Sequence, residues 1–569
     1  MGATRFATFV VALLAIQEFA CVSANRRLLQ GGTLAVSTTK EFTSYPVSTT
    51  RASFVVTIQA PKGSIADRAA VSVTAVLDRS GSMSGSKIQL LKKSTEFLVE
   101  KLQGQDSLGI VSYASDVRED GRLARVTPAV KTTLRDQVRA IAASGATNLS
   151  GGLFKGIDQQ NNADIGTGNV KSVILFTDGL PTAGIRDINQ IVNQMKGSLD
   201  GEVPPTVYTL GFGNDHDSDF LMKIADAGKG QYVFVNDETK IAPVFGEILG
   251  GLLTVTAQNI EATLTPLSGA SITSVKAGGI VDPSPSSWKI KFADLFADET
   301  RDILVDMSVP AGSATSNQNV LRVDVKYRDP KTGAIVQRPP ITVGINRNAT
   351  PQSASAAPNE KVEVTRLRFA VAEDIETAVE KKENGDTAGA TQTLDNTLSR
   401  IGASSANGNS DVQALKSDVQ RVRGQVAAPQ ELAPAAVGQI TSNAQALGAQ
   451  RAVVSGGGSF ASNQAGTTGA KLSAAADATQ FVGGGGAPST PVNPAPRPSP
   501  TPTGPLVLPG PVPKPSPSPA PTPNPISFPV NRFPSGVDFL NPTGGFQFPT
   551  FQQVQGGTGG GSNPFSFGG

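Results

Sequence analysis

What the 569-residue sequence holds least of sets its limits. It has one cysteine, one histidine and one tryptophan, and aromatic residues make up only 5% of it. Cys21 falls in an N-terminal stretch that reads as a removable leader, so the mature chain can form no disulfide even where its surroundings would permit one. Its stability therefore rests on core burial or on a bound metal. Charged residues are scarce at 17%, and the formal net charge is +2. That gives no electrostatic case for nucleic acid or for an anionic membrane surface as partner. Long apolar runs are missing too. The run "FATFVVALLAI" is about half the ~20 residues needed to span a bilayer, and the C-terminal "SNPFSFGG" lacks the hydrophobic tail of a lipid-anchor signal.

The apolar run instead fits a secretory signal over residues 1–24, with Arg5 ahead of it and the small-residue site "VSA" ending at Ala24. The chain is expected to be secreted, either as a soluble extracellular protein or retained in a cell wall or extracellular matrix, with no membrane span after cleavage. Length alone suggests roughly two to four units. Residues 25–50 read as a linker, and 51–66 as a strand that joins a later sandwich. Over 67–253, apolar runs at Val71–Leu77, Leu108–Tyr113, Val170–Phe176, Val207–Phe212 and Tyr232–Val235 alternate with helical patterns such as "SKIQLLKKSTEFLVEKL". This predicts an α/β, doubly wound, mostly parallel sheet covered on both faces. Over 254–347 the period becomes two, which predicts a small antiparallel β-sandwich. Residues 358–427 read as a helical segment and 428–482 as an Ala/Gly/Ser-rich linker. A Pro-rich segment (483–536) and a Gly/Phe-containing tail (537–569) follow, too poor in apolar surface to offset chain entropy and expected to be disordered. A protease-resistant core is expected from about 45 to 427.

Chemistry concentrates in "VLDRSGSMSGSK", Val76 to Lys87, where a buried strand ends in one aspartate and four serines. Phosphate binding fits poorly. Gly81, Gly85 and Lys87 lack P-loop spacing, and Asp78 would repel the anion. A nucleophilic serine needs a base, and His216 in "FGNDHDSDF" reads as a helix-start residue between the capping aspartates Asp215 and Asp217. A hard divalent cation fits best, because carboxylate and hydroxyl oxygens suit it and loops at strand C-termini form the ligand crevice of such sheets. Two further loops offer matching groups: Thr147 in "SGATNLSGGL" and Asp178 in "ILFTDGLP".

Asp78, Ser80 and Ser82, then Thr147, then Asp178 together resemble the metal-ion-dependent adhesion site of the von Willebrand factor A family, and the resemblance runs from about Ala69 to Leu253. It implies a Rossmann-like domain that holds a divalent cation, Mg²⁺ foremost with Mn²⁺ or Ca²⁺ as alternatives. Ser80, Ser82 and Thr147 would be ligands, and Asp78 and Asp178 would stand close by, often acting through water. An open position would take an acidic group from an extracellular protein or glycan. Some plant relatives add a RING zinc domain, for which this chain has no cysteines. The expected role is a non-enzymatic secreted binding protein. The alternative is a structural wall or matrix glycoprotein whose metal site only stabilises the fold. The Ser-Pro and Thr-Pro repeats resemble hydroxyproline-rich wall glycoproteins, and would otherwise serve as a plain spacer. Of two glycosylation sequons, Asn148 abuts Thr147, so Asn348 is the expected acceptor.

Overall fold

The computed structural model describes residues 32–62, 68–162, 170–201, 203–213, 216–349, 357–451 and 469–483. The expected leader, the Pro-rich segment beyond 483 and the tail lie outside these residues. Three strands come first: β1 (Ala35–Lys40), β2 (Tyr45–Pro46) and β3 (Thr50–Gln59). An α/β run follows, with β4 (Val71–Asp78), α1 (Ser86–Lys101), β5 (Ser107–Tyr113), β6 (Val117–Arg125), α2 (Pro128–Ala140) and α3 (Leu149–Asn162) in its first half. Its second half holds β7 (Val170–Thr177), α4 (Ile188–Ser198), β8 (Thr206–Phe212), α5 (Ser218–Ala227), β9 (Lys229–Val235) and α6 (Ile241–Leu252).

Strand order in this sheet is β6-β5-β4-β7-β8-β9. All neighbours are parallel except the edge pair β5–β6. Strand β4 is buried along its whole length, and its two-residue period splits it between two cores. Val71, Val73, Ala75 and Leu77 pack with Leu91 and Leu98 of α1, Val138 of α2 and Phe245 of α6. On the other face Val76 packs with Leu153 of α3, Met195 of α4 and Phe220 of α5. Each such buried side chain contributes about 1.5–3 kcal/mol, so the strand ends are held rigidly. The doubly wound, mostly parallel fold expected from the sequence is the one found.

After α6 come β10 (Val255–Pro266), β11 (Ser271–Lys276), β12 (Ile280–Asp282), β13 (Trp288–Phe296), β14 (Thr300–Val309), β15 (Thr315–Arg328), β16 (Ile335–Gln337) and β17 (Ile341–Asn348). They form two antiparallel-rich sheets, β1-β3-β14-β11 and β12-β13-β10-β15-β17-β2, with β16 beside β15. The sheets share one core, in which Phe54, Val56, Ile303 and Val305 meet Ile260, Ile290, Val323 and Ile345. Because β3 lies between β1 and β14, the α/β domain is an insertion within the sandwich. Residues 25–50 are therefore not all linker: β1 and β2 fall inside that span as sandwich strands.

Helices α7 (Glu360–Glu383), α8 (Thr387–Ala403), α9 (Ser410–Val426) and α10 (Pro434–Gly448) pack around Leu367, Val371, Leu394, Leu415, Val419 and Ile440. The final described helix is α11 (Gly469–Val482). Residues 428–482 thus hold two helices where a linker was expected, and the core reaches past 427. The small residues that suggested a linker serve close packing. A Cβ at Gly246 of α6 would sit 2.3 Å from the Ala474 carbonyl oxygen of α11, and this covering explains why α6 is largely apolar all round, with Glu247 its one charged residue and buried. No helix among the described residues is long and apolar enough to cross a membrane.

The units are joined by buried charge. Glu299 pairs with Arg301 at 2.9 Å and Arg451 at 3.3 Å, and accepts from the Phe296 amide at 2.9 Å. The Arg451 guanidinium and the Lys471 ammonium both stand over the Phe296 ring, at 4.2 and 4.7 Å. Thr206 of β8 donates to Asp294 of β13 at 2.9 Å. Burial alone would raise the Glu299 carboxyl, but Arg301, Arg451 and Lys471 hold it at about 2. Glu299→Gln leaves buried guanidinium charge uncompensated and should cost about 3–5 kcal/mol at neutral pH. Because the folded-state value lies below 4.5, Glu299's contribution is present above that pH and fades as pH falls toward 2. Urea unfolding of both proteins at pH 7 and pH 3 checks this, and a stability gap that does not narrow at pH 3 would contradict it.

Candidate metal centre

Three loops meet at the C-terminal end of the parallel strands. Pairing of Leu77 with Phe176 puts the ends of β4 and β7 side by side, so Asp78 and Asp178 emerge next to each other. Both carboxylates are fully buried. One Asp78 oxygen accepts from the Ser80 amide at 2.8 Å. The other accepts from the hydroxyls of Thr177 at 2.7 Å and Tyr113 at 3.3 Å. Burial, helped by the charge of Asp178, pushes the Asp78 carboxyl up to about 6 against the opposing hydrogen bonds from Ser80 and Thr177.

Hydroxyls continue the cluster. Ser80 Oγ lies 3.1 Å from Ser82 Oγ, and Ser82 Oγ donates to Asp178 Oδ1 at 2.7 Å. The other Asp178 oxygen accepts from Lys87 Nζ at 2.6 Å. The loop keeps this shape because Met83 turns inward and is buried in the core beneath, while Arg79 is drawn aside to Asp116 and Ser112.

Thr147 is tied in through its backbone. Its amide donates to Thr182 Oγ1 at 2.9 Å, and its carbonyl accepts from the Thr182 and Ala183 amides at 3.0 and 3.2 Å, which clamps it to the loop that begins at Asp178. The Gly81 amide donates to the Gly145 carbonyl at 3.0 Å, joining the Thr147 loop to the serines. Gly145 has φ +80°, and a Cβ there would fall 2.7 Å from Ser115 Oγ, so only glycine fits.

The structure therefore brings Asp78, Ser80, Ser82 and Asp178 into one hydrogen-bonded chain, with Thr147 fastened to its rim. Every donor is oxygen, and hydroxyls outnumber carboxylates. That set suits a hard divalent cation which keeps several waters. No group of three or more His, Cys, Asp or Glu that could hold a metal gathers among the described residues; the centre is made mostly of hydroxyls. Four neighbours escaped the sequence reading. Thr177 could have been found, since it directly precedes Asp178. Tyr113, Thr182 and Lys87 reach the site only through folding.

His216 lies elsewhere, buried against Tyr232 OH at 2.7 Å and pushed down to about 4 by that burial. Asp217 caps α5 by accepting from the Phe220 amide at 3.0 Å; Asp215 lies outside the described residues. Ser218 is 3.5 Å from His216 Nε2 and 2.9 Å from Tyr232 OH, in a cluster on which Gly438 of α10 packs closely. Asn148 caps α3 by accepting from the Gly151 amide at 3.1 Å, whereas Asn348 is exposed.

A family model for the von Willebrand factor type A domain matches residues 72–247. The inter-alpha-trypsin inhibitor heavy chain H1 of Mesocricetus auratus is 32% identical over 188 residues, covering 32% of this chain and 20% of that one. This chain thus spans only about a fifth of the heavy chains it matches. The uncharacterized protein sll0103 of Synechocystis is 24% identical over 336 residues, 56% of this chain and 76% of that one. Among solved structures, a von Willebrand factor type A protein from Catenulispora acidiphila shares the fold, with TM-score 0.55 and 19% identity over 68% of this chain and 89% of that one. Fold and family match agree: residues 72–247 form a von Willebrand factor type A domain.

Proposed function

We propose that this chain is a secreted, non-enzymatic binding protein whose A domain holds a divalent cation and uses it to take an acidic group of an extracellular protein or glycan. One observation carries the reading: the hydrogen-bonded run in which Asp78 takes the Ser80 amide and the Ser80 hydroxyl meets the Ser82 hydroxyl, which donates to Asp178. Ser80, Ser82 and Thr147 would hold the ion, with Asp78 and Asp178 beside it. When bound, the cation would supply a positive centre with a position open to a carboxylate. Asp78 orients the Ser80 backbone, and Thr177 and Tyr113 keep Asp78 in place. Similarity to the inter-alpha-trypsin inhibitor heavy chains supports a protein-binding role, and the signal-like N-terminus supports secretion. Against the purely structural alternative stands Lys87, which already neutralises Asp178, so the fold has a counter-charge of its own.

Asp78→Ala should abolish Mg²⁺ and Mn²⁺ binding in calorimetric titration, with any chelator-sensitive partner binding lost alongside and the far-UV spectrum kept. Equal metal affinity in both proteins would sink the assignment. The same aspartate makes a pH signature. Its folded-state value of about 6 lies above the ordinary 3.8, so the folded state binds a proton the unfolded chain releases, and metal-free stability falls as pH rises between those values. The full shift corresponds to about 3 kcal/mol. In chelator, Asp78→Asn should therefore gain on the wild type as pH rises from 4 to 7; parallel melting curves across that range would show that Asp78 ionisation carries no such cost.

A further inference from the structure

Lys87 sits where helix physics disfavours it. It is the second residue of α1, whose first turn contains no acidic residue, and a cation there opposes the positive N-terminal end of the helix dipole. The left-handed Gly85, at φ +85°, turns the chain into that helix and sets Lys87 over the end of β7. Two contacts outweigh the local penalty. The ammonium is 2.6 Å from Asp178, a side chain with no exposure, while Lys87 itself keeps 27% of its surface open. It also stands 5.0 Å from the centre of the Phe212 ring, a favourable face for a cation.

We propose that Lys87 is a built-in counter-ion of the metal site, which neutralises Asp178 when no cation is present, competes for that carboxylate when one arrives, and leaves the loaded site positive toward an acidic partner. This rests on the metal-binding reading above. With Asp78 and Asp178 ionised, Lys87 reduces the site to one net negative charge. A divalent cation then makes it net positive, so the residue weakens metal affinity and strengthens attraction for a carboxylate. Its partial exposure gives the ammonium room to swing to water, whereas the buried Asp178 cannot leave. Nothing in the motif around Lys87 shows this pairing, because it is made with a residue 91 positions away.

The test uses the full chain, Mn²⁺ as probe and calorimetric titration of wild type, Lys87→Gln and Lys87→Arg. Lys87→Gln should bind Mn²⁺ at least about ten-fold more tightly, since a like charge a few ångströms away has gone, and should melt lower than wild type in chelator. Lys87→Arg should stay near wild type. Equal or weaker Mn²⁺ binding by Lys87→Gln, with wild type binding normally, overturns this inference and leaves the metal site standing. Mn²⁺ binding by neither protein overturns both. A second readout needs no variant. Acetylation of Lys87 by acetic anhydride, followed by peptide mass spectrometry of the wild type, should rise several-fold with saturating Mn²⁺ as the ammonium is released, and unchanged labelling counts against the proposal.

Discussion

Glu299 carries a buried negative charge that its neighbour Arg301 shares with two distant stretches of chain. Arg301 comes from the sandwich, Arg451 from just past α10, and Lys471 from α11. Thr206, at the start of β8, reaches the neighbouring Asp294. None of these charges could be left dry alone, because isolated ions in a protein interior cost several kcal/mol each. The cluster therefore holds as a unit or not at all. Its members belong to the A domain, the sandwich and the helical segment, so those units fix one another. Gln450 adds a second fastening beside it, bonding both the amide and the carbonyl of Asp302 at 2.7 Å.

The candidate metal centre is built on a different principle. Its charges are few, its oxygens are mostly neutral hydroxyls, and its one cation comes from a side chain that keeps contact with water. Rigidity comes from beneath, through the buried β4 and the inward-turned Met83. A carboxylate-rich centre would repel itself without its ion; here Thr177, Tyr113, Ser80 and Lys87 share that burden between the two aspartates.

Much of this was legible in the sequence because burial leaves a period. Five of the six strands of the parallel-rich sheet are continuous apolar runs, and each of the aspartates Asp78 and Asp178 closes one of them. Strand β6, "VREDGRLAR", escaped notice because an edge strand half in water needs no apolar run. β1 escaped for a similar reason, its alternation "AVSTTK" being polar and short. The stretch from 428 to 482 misled in the opposite way. Alanine, glycine and serine suggest a spacer by composition, yet they are what two helices need to approach as closely as α6 and α11 do. Lys87 could not be assigned from its motif, since its partner is a residue that only the finished sheet brings near.

Insertion of the A domain between β3 and β10 has a mechanical consequence. The chain enters at Val71 and leaves at Leu252, and Thr206 ties β8 to the sandwich at that same end of the strands. The metal loops lie at the opposite end, about 20 Å away along a strand of this length. A pull on anything held there would run lengthwise down the sheet to the anchor. The hydrogen bonds between β4 and its neighbours β5 and β7 lie across that load path, so they would resist together in shear instead of opening one at a time like a zip.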